Sequence, residues 1–161
     1  MGIYMKYGNI TGDATQKGFE GWLNIDSFGW GLHRQFAKDQ VGRAFNREAA
    51  QANVKAITVT KDVDNASGAL LEAASTASKG ETCEIVFLRT GNPGEVYLQF
   101  TLTDTLLQNL GLATGGSERP VETMELDFTK VEITVKVLNE ENIAEPDNMH
   151  IFYNIATGEG G

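Results

Sequence analysis

Few side chains in this 161-residue sequence carry the chemistry of a catalyst. Two histidines, His33 and His150, and one thiol, Cys83, are present, and none falls at a zinc-binding spacing such as HExxH or CxxC. No nucleophile elbow exists either, so both histidines are expected in surface or packing roles. GWGLHR, residues 29–34, begins like a dinucleotide fingerprint, but Arg34 occupies the third glycine position and no helix is expected to follow. DVDNASGALLEA, residues 62–73, starts like a calcium loop, with Asp62 and Asp64 at its first and third positions. It then places Ala66 at the fifth, Ser67 where the turn glycine belongs and Ala73 where a bidentate glutamate is required, a poor match, so Asp64 is better read as helix-entry polarity. Seventeen acidic residues after position 60 yield carboxylate pairs by number alone, so they give glycoside hydrolysis no specific support. Trp22 and Trp30 offer flat faces on which a sugar could stack, but aromatic residues crowded at a strand corner are better read as core. No catalytic residue, metal or cofactor is expected.

Composition narrows the class further. The sequence is 41% hydrophobic and 22% charged, which suits a globular chain, and its length suits one domain over 1–161. No apolar run approaches the roughly 18 residues of a membrane helix, so no membrane insertion is expected. Its net charge of −9 is unevenly spread. Residues 1–60 hold seven Lys and Arg against five Asp and Glu, whereas 61–161 hold six against seventeen. Nucleic acid is thereby disfavoured, since binding it requires clustered basic side chains. The asymmetry suits either a solvated surface or self-association, with a basic element of one copy meeting an acidic face of the next. A single cysteine forms no intrachain disulfide, and MGIYMKYGNI has neither the charged nor the apolar segment of a signal peptide.

The elements that would position these residues are mainly strands. Val96, Leu98, Phe100 and Leu102 alternate with polar neighbours, as do Val131, Ile133, Val135 and Val137, and Met124, Leu126 and Phe128. Such a period of two marks half-buried strands. Further strands are expected at 2–8, 21–25, 28–35, 54–61, 82–90 and 149–155, with a hairpin connection at Gly91-Asn92-Pro93-Gly94 and a loop at Gly115-Gly116-Ser117. Within GWLNIDSFGWGLHRQ, residues 21–35, the alternation changes phase. Leu23 and Ile25 are odd, whereas Phe28, Trp30 and Leu32 are even, so the strand must turn a corner after Asp26-Ser27. Gly29 and Gly31 flank Trp30, and these three are assigned to that corner. One helix is expected over 65–79, where Ala66, Leu70, Ala73, Ala74 and Ala77 share a face, with Asn65 or Ser67 as its cap and Gly80 as its stop. Residues 35–53 form a long basic loop, and 139–148 an acidic link to the last strand.

Four stretches in order resemble one known family. GNITGDATQKGFEGWLNIDSFGWGLHR, VKAITVTKDVDNASGALLEAASTASKG, QFTLTDTLLQN and ETMELDFTKVEITV look like the tube-forming protein of bacterial type VI secretion, the hemolysin co-regulated protein family. Most specific are Gly12 ahead of Gly21-Trp22, the SFGWG corner and the VTKDVDNAS run. VGRAFNRE resembles the arginine-containing loop of one subgroup. Gly68 departs from the pattern, since proline commonly follows the capping serine there.

The resemblance implies a small β-barrel of two antiparallel sheets with one flanking helix and a long protruding loop. It implies a structural subunit and no enzyme. Six copies would form a ring, and rings would stack into a hollow tube inside a contractile sheath, behind a tip spike protein. Small effector proteins would travel in the lumen. Such a protein would reside in the bacterial cytoplasm and then be secreted without a signal peptide, and no C-terminal toxin extension is expected. The length and charge of the 35–53 loop nominate Arg43, Phe45, Asn46 and Arg47 for contacts between rings. The alternatives are a phage-tail-tube-like protein and a monomeric carbohydrate-binding β-domain.

Overall fold

The period-two segments become two antiparallel sheets. The computed structural model describes residues 2–35, 52–90, 94–116, 118–138 and 144–161, with backbone alone at 137–138 and 144–148. In the larger sheet, β1 (Gly2–Tyr7) lies between β2 (Leu23–Ile25) and β7 (Glu81–Arg89). The first half of β8 (Glu95–Ala113) follows, then β10 (Lys130–Leu138), β11 (Ala144–Asn154) and the short β12 (Glu159–Gly160). The smaller sheet runs from β3 (Ser27–Gly29) through β6 (Ile57–Asp62) and β9 (Val121–Asp127) to the second half of β8. A separate pair, β4 (Leu32–Arg34) and β5 (Ala52–Val54), continues outward from β3 and β6.

Two corners join the sheets. At Asp26 the chain leaves β2 in one sheet and enters β3 in the other, and the Asp26 amide donates to the Thr60 carbonyl at 2.8 Å. Strand β8 does the same at Asp104, pairing β10 as far as Thr103 and β9 from Leu106 onward. Asp104 takes a left-handed φ of +54°, which re-aims the strand. Inward positions change parity there, from Phe100 and Leu102 to Thr105 and Leu107. The class is as expected, two antiparallel sheets and one helix. The ladder itself is not closed as a barrel, because covalent corners rather than a continuous run of paired strands join its two sheets.

Between the sheets Met5, Leu23, Ile57, Ile85, Leu102 and Leu126 are fully buried. Each stabilises the fold by about 1.5–3 kcal/mol through removal from water. Phe28, Phe87 and Phe100 pack against one another beside them, with Phe28 edge-on to Phe87 at 5.0 Å. Gly12 reaches the same layer through a close approach: a Cβ there would lie 2.5 Å from the Trp22 carbonyl oxygen. That accounts for glycine at 12 ahead of Gly21-Trp22, since the Gly12 amide also donates to Gly21.

Helix α1 (Ser67–Thr76) is shorter than 65–79 at both ends. Its entry is set by Asp64, whose Oδ1 accepts the Ala66 amide, while Ser67 Oγ accepts the Asp64 amide. Ser67 is thus the first helical residue; the N-cap position is Ala66, which has no side-chain cap, and Asp64 and Ser67 fix the turn that leads into it. The helix ends because Ala77 turns extended, well before Gly80. Other boundaries differ too. The 28–35 segment is broken into β3 and β4, and β11 starts at Ala144, inside the stretch expected as a link. Pairing of its backbone with β10 overrides the polar composition. Strand β12 and the second half of β8 were not expected. Residues 91–93, within the expected hairpin connection, and 139–143 lie outside the described residues.

Candidate assembly surfaces

Among the described residues no constellation for catalysis forms. His33 on β4 and His150 on β11 are both exposed, with Asn53 and Thr134 as their strand partners. Cys83 is sealed in the core, where burial pushes its thiol up, out of the range of a nucleophile. No group of three His, Cys, Asp or Glu side chains converges among the described residues, so none there is placed to hold a metal. The tryptophans sit edge-on to other rings, Trp22 on Phe19 at 5.0 Å and Trp30 on Phe100 at 5.5 Å. Both are half-buried, and Trp30 Nε1 donates to the Lys55 carbonyl, an arrangement of packing rather than of an open sugar platform.

Among the described residues one buried ionic cluster forms, and it is structural. Lys61 is 0% exposed and donates to Asp64 Oδ1 at 2.8 Å, Glu122 Oε2 at 3.0 Å and the Asp62 carbonyl at 2.8 Å. Lys61 and Glu122 face each other across β6 and β9, and Asp64 starts the helix, so one ammonium ties a sheet to α1. The sequence carried a signal for this pair. Lys61 stands at the inward parity of Ile57 and Val59, and Glu122 at that of Met124 and Leu126. Beside the cluster, desolvation together with the charge and hydrogen bonding of Asp62 raises the Asp26 carboxyl above its ordinary range, against the opposing pull of Lys61 and Arg119.

A cleft of about 460 Å³ opens where α1 faces the end of β1. Ala69, Ala73 and Ala77 give it a small-residue floor, the chain from Gly8 to Thr11 forms the opposite wall, and Glu72 and Glu81 carry its charge. Tyr7 lies at its base, donating to the Thr105 carbonyl at 3.0 Å. Burial first, then the nearby Cys83 and Glu81, push the phenol up to about 12. Thr105 Oγ1 beneath is buried without a hydrogen-bond partner.

Two further surfaces look outward. On one face of β10 and β11, Val131 is buried against Tyr153, and then Ile133 pairs Ile151 and Val135 pairs Met149. The same apolar face runs off the core, with Ile151 45% and Met149 58% exposed. On the far side of α1 a groove runs between Leu71 and Leu112, both exposed. The β4–β5 pair brackets residues 36–51, which lie outside the described residues. Arg43, Phe45, Asn46 and Arg47 lie outside the described residues. Gly29 ends β3 and Trp30 and Gly31 link it to β4, beyond the change of sheet at Asp26, and Ser67 opens α1.

Comparison with known proteins follows this geometry. A family model described as "Type VI secretion system effector, Hcp" matches residues 4–135. No curated protein matches the sequence. A solved structure titled "Structure of a type six secretion system protein" superimposes with a TM-score of 0.88 at 21% identity, covering 99% of each chain. Hcp1 from Salmonella typhimurium gives 0.76 at 17% identity, over 99% of this chain and 97% of its own. A type VI secretion system effector from Yersinia pestis gives 0.72 at 18% identity, over 94% and 98%. At these identities the structures establish a shared fold.

Proposed function

We propose that this chain, which belongs to the Hcp family of type VI secretion systems, assembles with five further copies into a ring, and that rings stack into a hollow tube. The family is one of structural tube proteins and not of enzymes. The supporting observation is the apolar face of β10 and β11 that outruns its own core. Met149 and Ile151 present it to solvent in a lone chain, with Ile133 and Val135 half-buried beside them, and a neighbouring copy would bury it. A ring requires a heterologous contact, and a sheet face meeting a different surface of the next copy supplies one. In this reading the tube lies within a contractile sheath behind a tip spike, carries small effector proteins in its lumen, and leaves the cytoplasm by contraction rather than through a signal peptide. Arg43, Phe45, Asn46 and Arg47 are assigned to contacts between rings.

Light scattering of the purified protein over a range of concentrations tests the ring. A mass near six times that of the chain is expected, and Met149→Asp with Ile151→Asp should reduce it to one chain while leaving the circular dichroism unchanged. A wild-type protein that stays at one chain mass under all conditions refutes the ring.

A further inference from the structure

The cleft between α1 and the end of β1 is separate from the apolar face of β10 and β11 to which the ring contact is assigned, and its chemistry is of another kind. Its volume of about 460 Å³ falls within the range of small-molecule sites. Along one wall Ala69, Ala73 and Ala77 repeat every fourth residue, an apolar strip about 12 Å long at the helical rise, and Ile10 belongs to the wall opposite. Two carboxylates, Glu72 and Glu81, border it, and none of its described lining residues is a cation. Glu81 is held close. Gly8 takes a left-handed φ of +52°, and a Cβ on it would lie 3.0 Å from the Glu81 carboxyl carbon, so the carboxylate rests directly against the backbone of the turn.

A buried hydroxyl without a partner lies at the same place. Among the described residues Thr105 Oγ1 is the one buried side-chain oxygen or nitrogen that lacks a hydrogen bond, and Thr105 has no exposure. Thr105 is the strand partner of Glu81, and its carbonyl accepts from Tyr7 at the base of the cleft. Directly paired residues of antiparallel strands carry their side chains on one face, with Cβ atoms about 4.5–5.5 Å apart. The Thr105 hydroxyl therefore faces the side on which Glu81 stands, where an ammonium would bridge hydroxyl and carboxylate. Leaving a buried polar group unpaired is unfavourable, so a donor arriving from outside is favoured there.

We propose that the cleft binds a linear aliphatic diamine, with one ammonium donating to Glu81 and to Thr105 Oγ1, the alkyl chain lying over Ala73 and Ala77, and the second ammonium meeting Glu72. Alanines leave the helix surface low enough for an alkyl chain to lie flat on it, and the two carboxylates receive its charged ends. A single ammonium satisfies one end of the site, whereas an anion meets two carboxylates and no cation. Binding ties α1 to β7 and to the 8–11 turn, and it stabilises the folded chain by mass action without using the ring contact.

Equilibrium dialysis of the intact protein against radiolabelled 1,4-diaminobutane, at one ionic strength throughout, tests it. Saturable binding of one molecule per chain is expected, with butylamine, the same alkyl chain with a single ammonium, at least about tenfold weaker. Glu72→Gln and Glu81→Gln should each weaken binding at least about tenfold, whereas Glu159→Gln, at the far edge of the larger sheet, should leave it unchanged. Thr105→Val should weaken it about tenfold with no loss of stability. Ala73→Leu, which fills the floor and alters no charge, should abolish it; Ala69→Leu, at an exposed position of the same strip, takes its place if Ala73→Leu disturbs the circular dichroism. Absence of saturable binding overturns the proposal. So does binding that the leucine variants leave intact, or that Glu159→Gln weakens as much as Glu81→Gln, since either marks attraction to the net negative charge alone. Equal affinity for butylamine overturns the diamine, because it means that the cleft takes a single ammonium, such as a lysine side chain of another protein.

Discussion

Replacing Lys61 by methionine isolates the contribution of the buried ionic cluster. The ammonium has no exposure and makes three donor contacts, two of them to the carboxylates of Asp64 and Glu122, whose side chains are 4% and 6% exposed. Lys61→Met keeps the apolar stem and removes the charge, leaving two acids facing one another with little water. Breaking a buried pair in this way costs about 3–5 kcal/mol, because the partner's desolvation is no longer offset. For a chain of this size that corresponds to a fall in Tm of about 6–20 °C. Urea unfolding followed by circular dichroism, at one protein concentration for every variant, measures it. Adding Glu122→Gln and Asp64→Asn to Lys61→Met should recover more than half of the loss. Asparagine retains the Oδ1 that accepts the Ala66 amide, so the helix entry survives. A loss below about 1 kcal/mol for Lys61→Met would refute the reasoning, since it would mean that water already reaches the two carboxylates.

Three further outcomes are expected. Gly80→Ala should cost about 2–4 kcal/mol in urea unfolding, since its Cβ would lie 2.5 and 2.6 Å from backbone atoms of Asp104, whereas Gly68→Ala on the open side of α1 should stabilise by about 0.5–1 kcal/mol. Thr105→Val removes an unpartnered buried hydroxyl and keeps the carbonyl that Tyr7 uses, so unfolding should show a gain of about 1 kcal/mol. Asp26 has a raised folded-state pKa, so its contribution is fully present below the unfolded value near 4 and is lost as pH rises through the folded value. Asp26→Asn should accordingly raise Tm at neutral pH, with the difference from wild type vanishing as the pH falls to about 4, as thermal scans across that window will show.

Legibility of the fold followed the strength of its periodic pattern. Strands with four apolar residues in phase, such as β10, could be read directly, and the phase change after Asp26 announced a change of sheet. The equivalent corner in β8 escaped because Leu106, Leu110 and Leu112 keep the even parity of Leu102 in the sequence, so the inward Leu107 does not stand out as a change of phase. Strand β11 was partly hidden by the acids and proline of residues 145–147, whose backbone pairing with β10 no local propensity reveals. The reactive residues were read as absent from any motif, and their positions in the fold agree with packing and surface roles. The cleft lay beyond sequence reasoning for a different reason. It is bounded by the end of β1 and by a helix some sixty residues later, and only the docking of α1 brings them together. Lys61, by contrast, was available from parity and was obscured by the habit of reading lysine as solvated.

Strand β8 also decides how the molecule bears load. Its first half is held on both sides, by β7 and β10, and its second half by β9, so a single covalent strand runs through both sheets. A force along that strand pulls its ladders in shear, where many hydrogen bonds must fail at once. The β4–β5 stem is held by three paired positions and, at its base, by the Lys55 amide donating to the Gly31 carbonyl and Trp30 Nε1 donating to the Lys55 carbonyl, and would be peeled open one pair at a time. The molecule is therefore built as a stiff body with a compliant outrigger. Pulled by that outrigger in a single-molecule experiment, it should yield first within the stem, before either sheet comes apart.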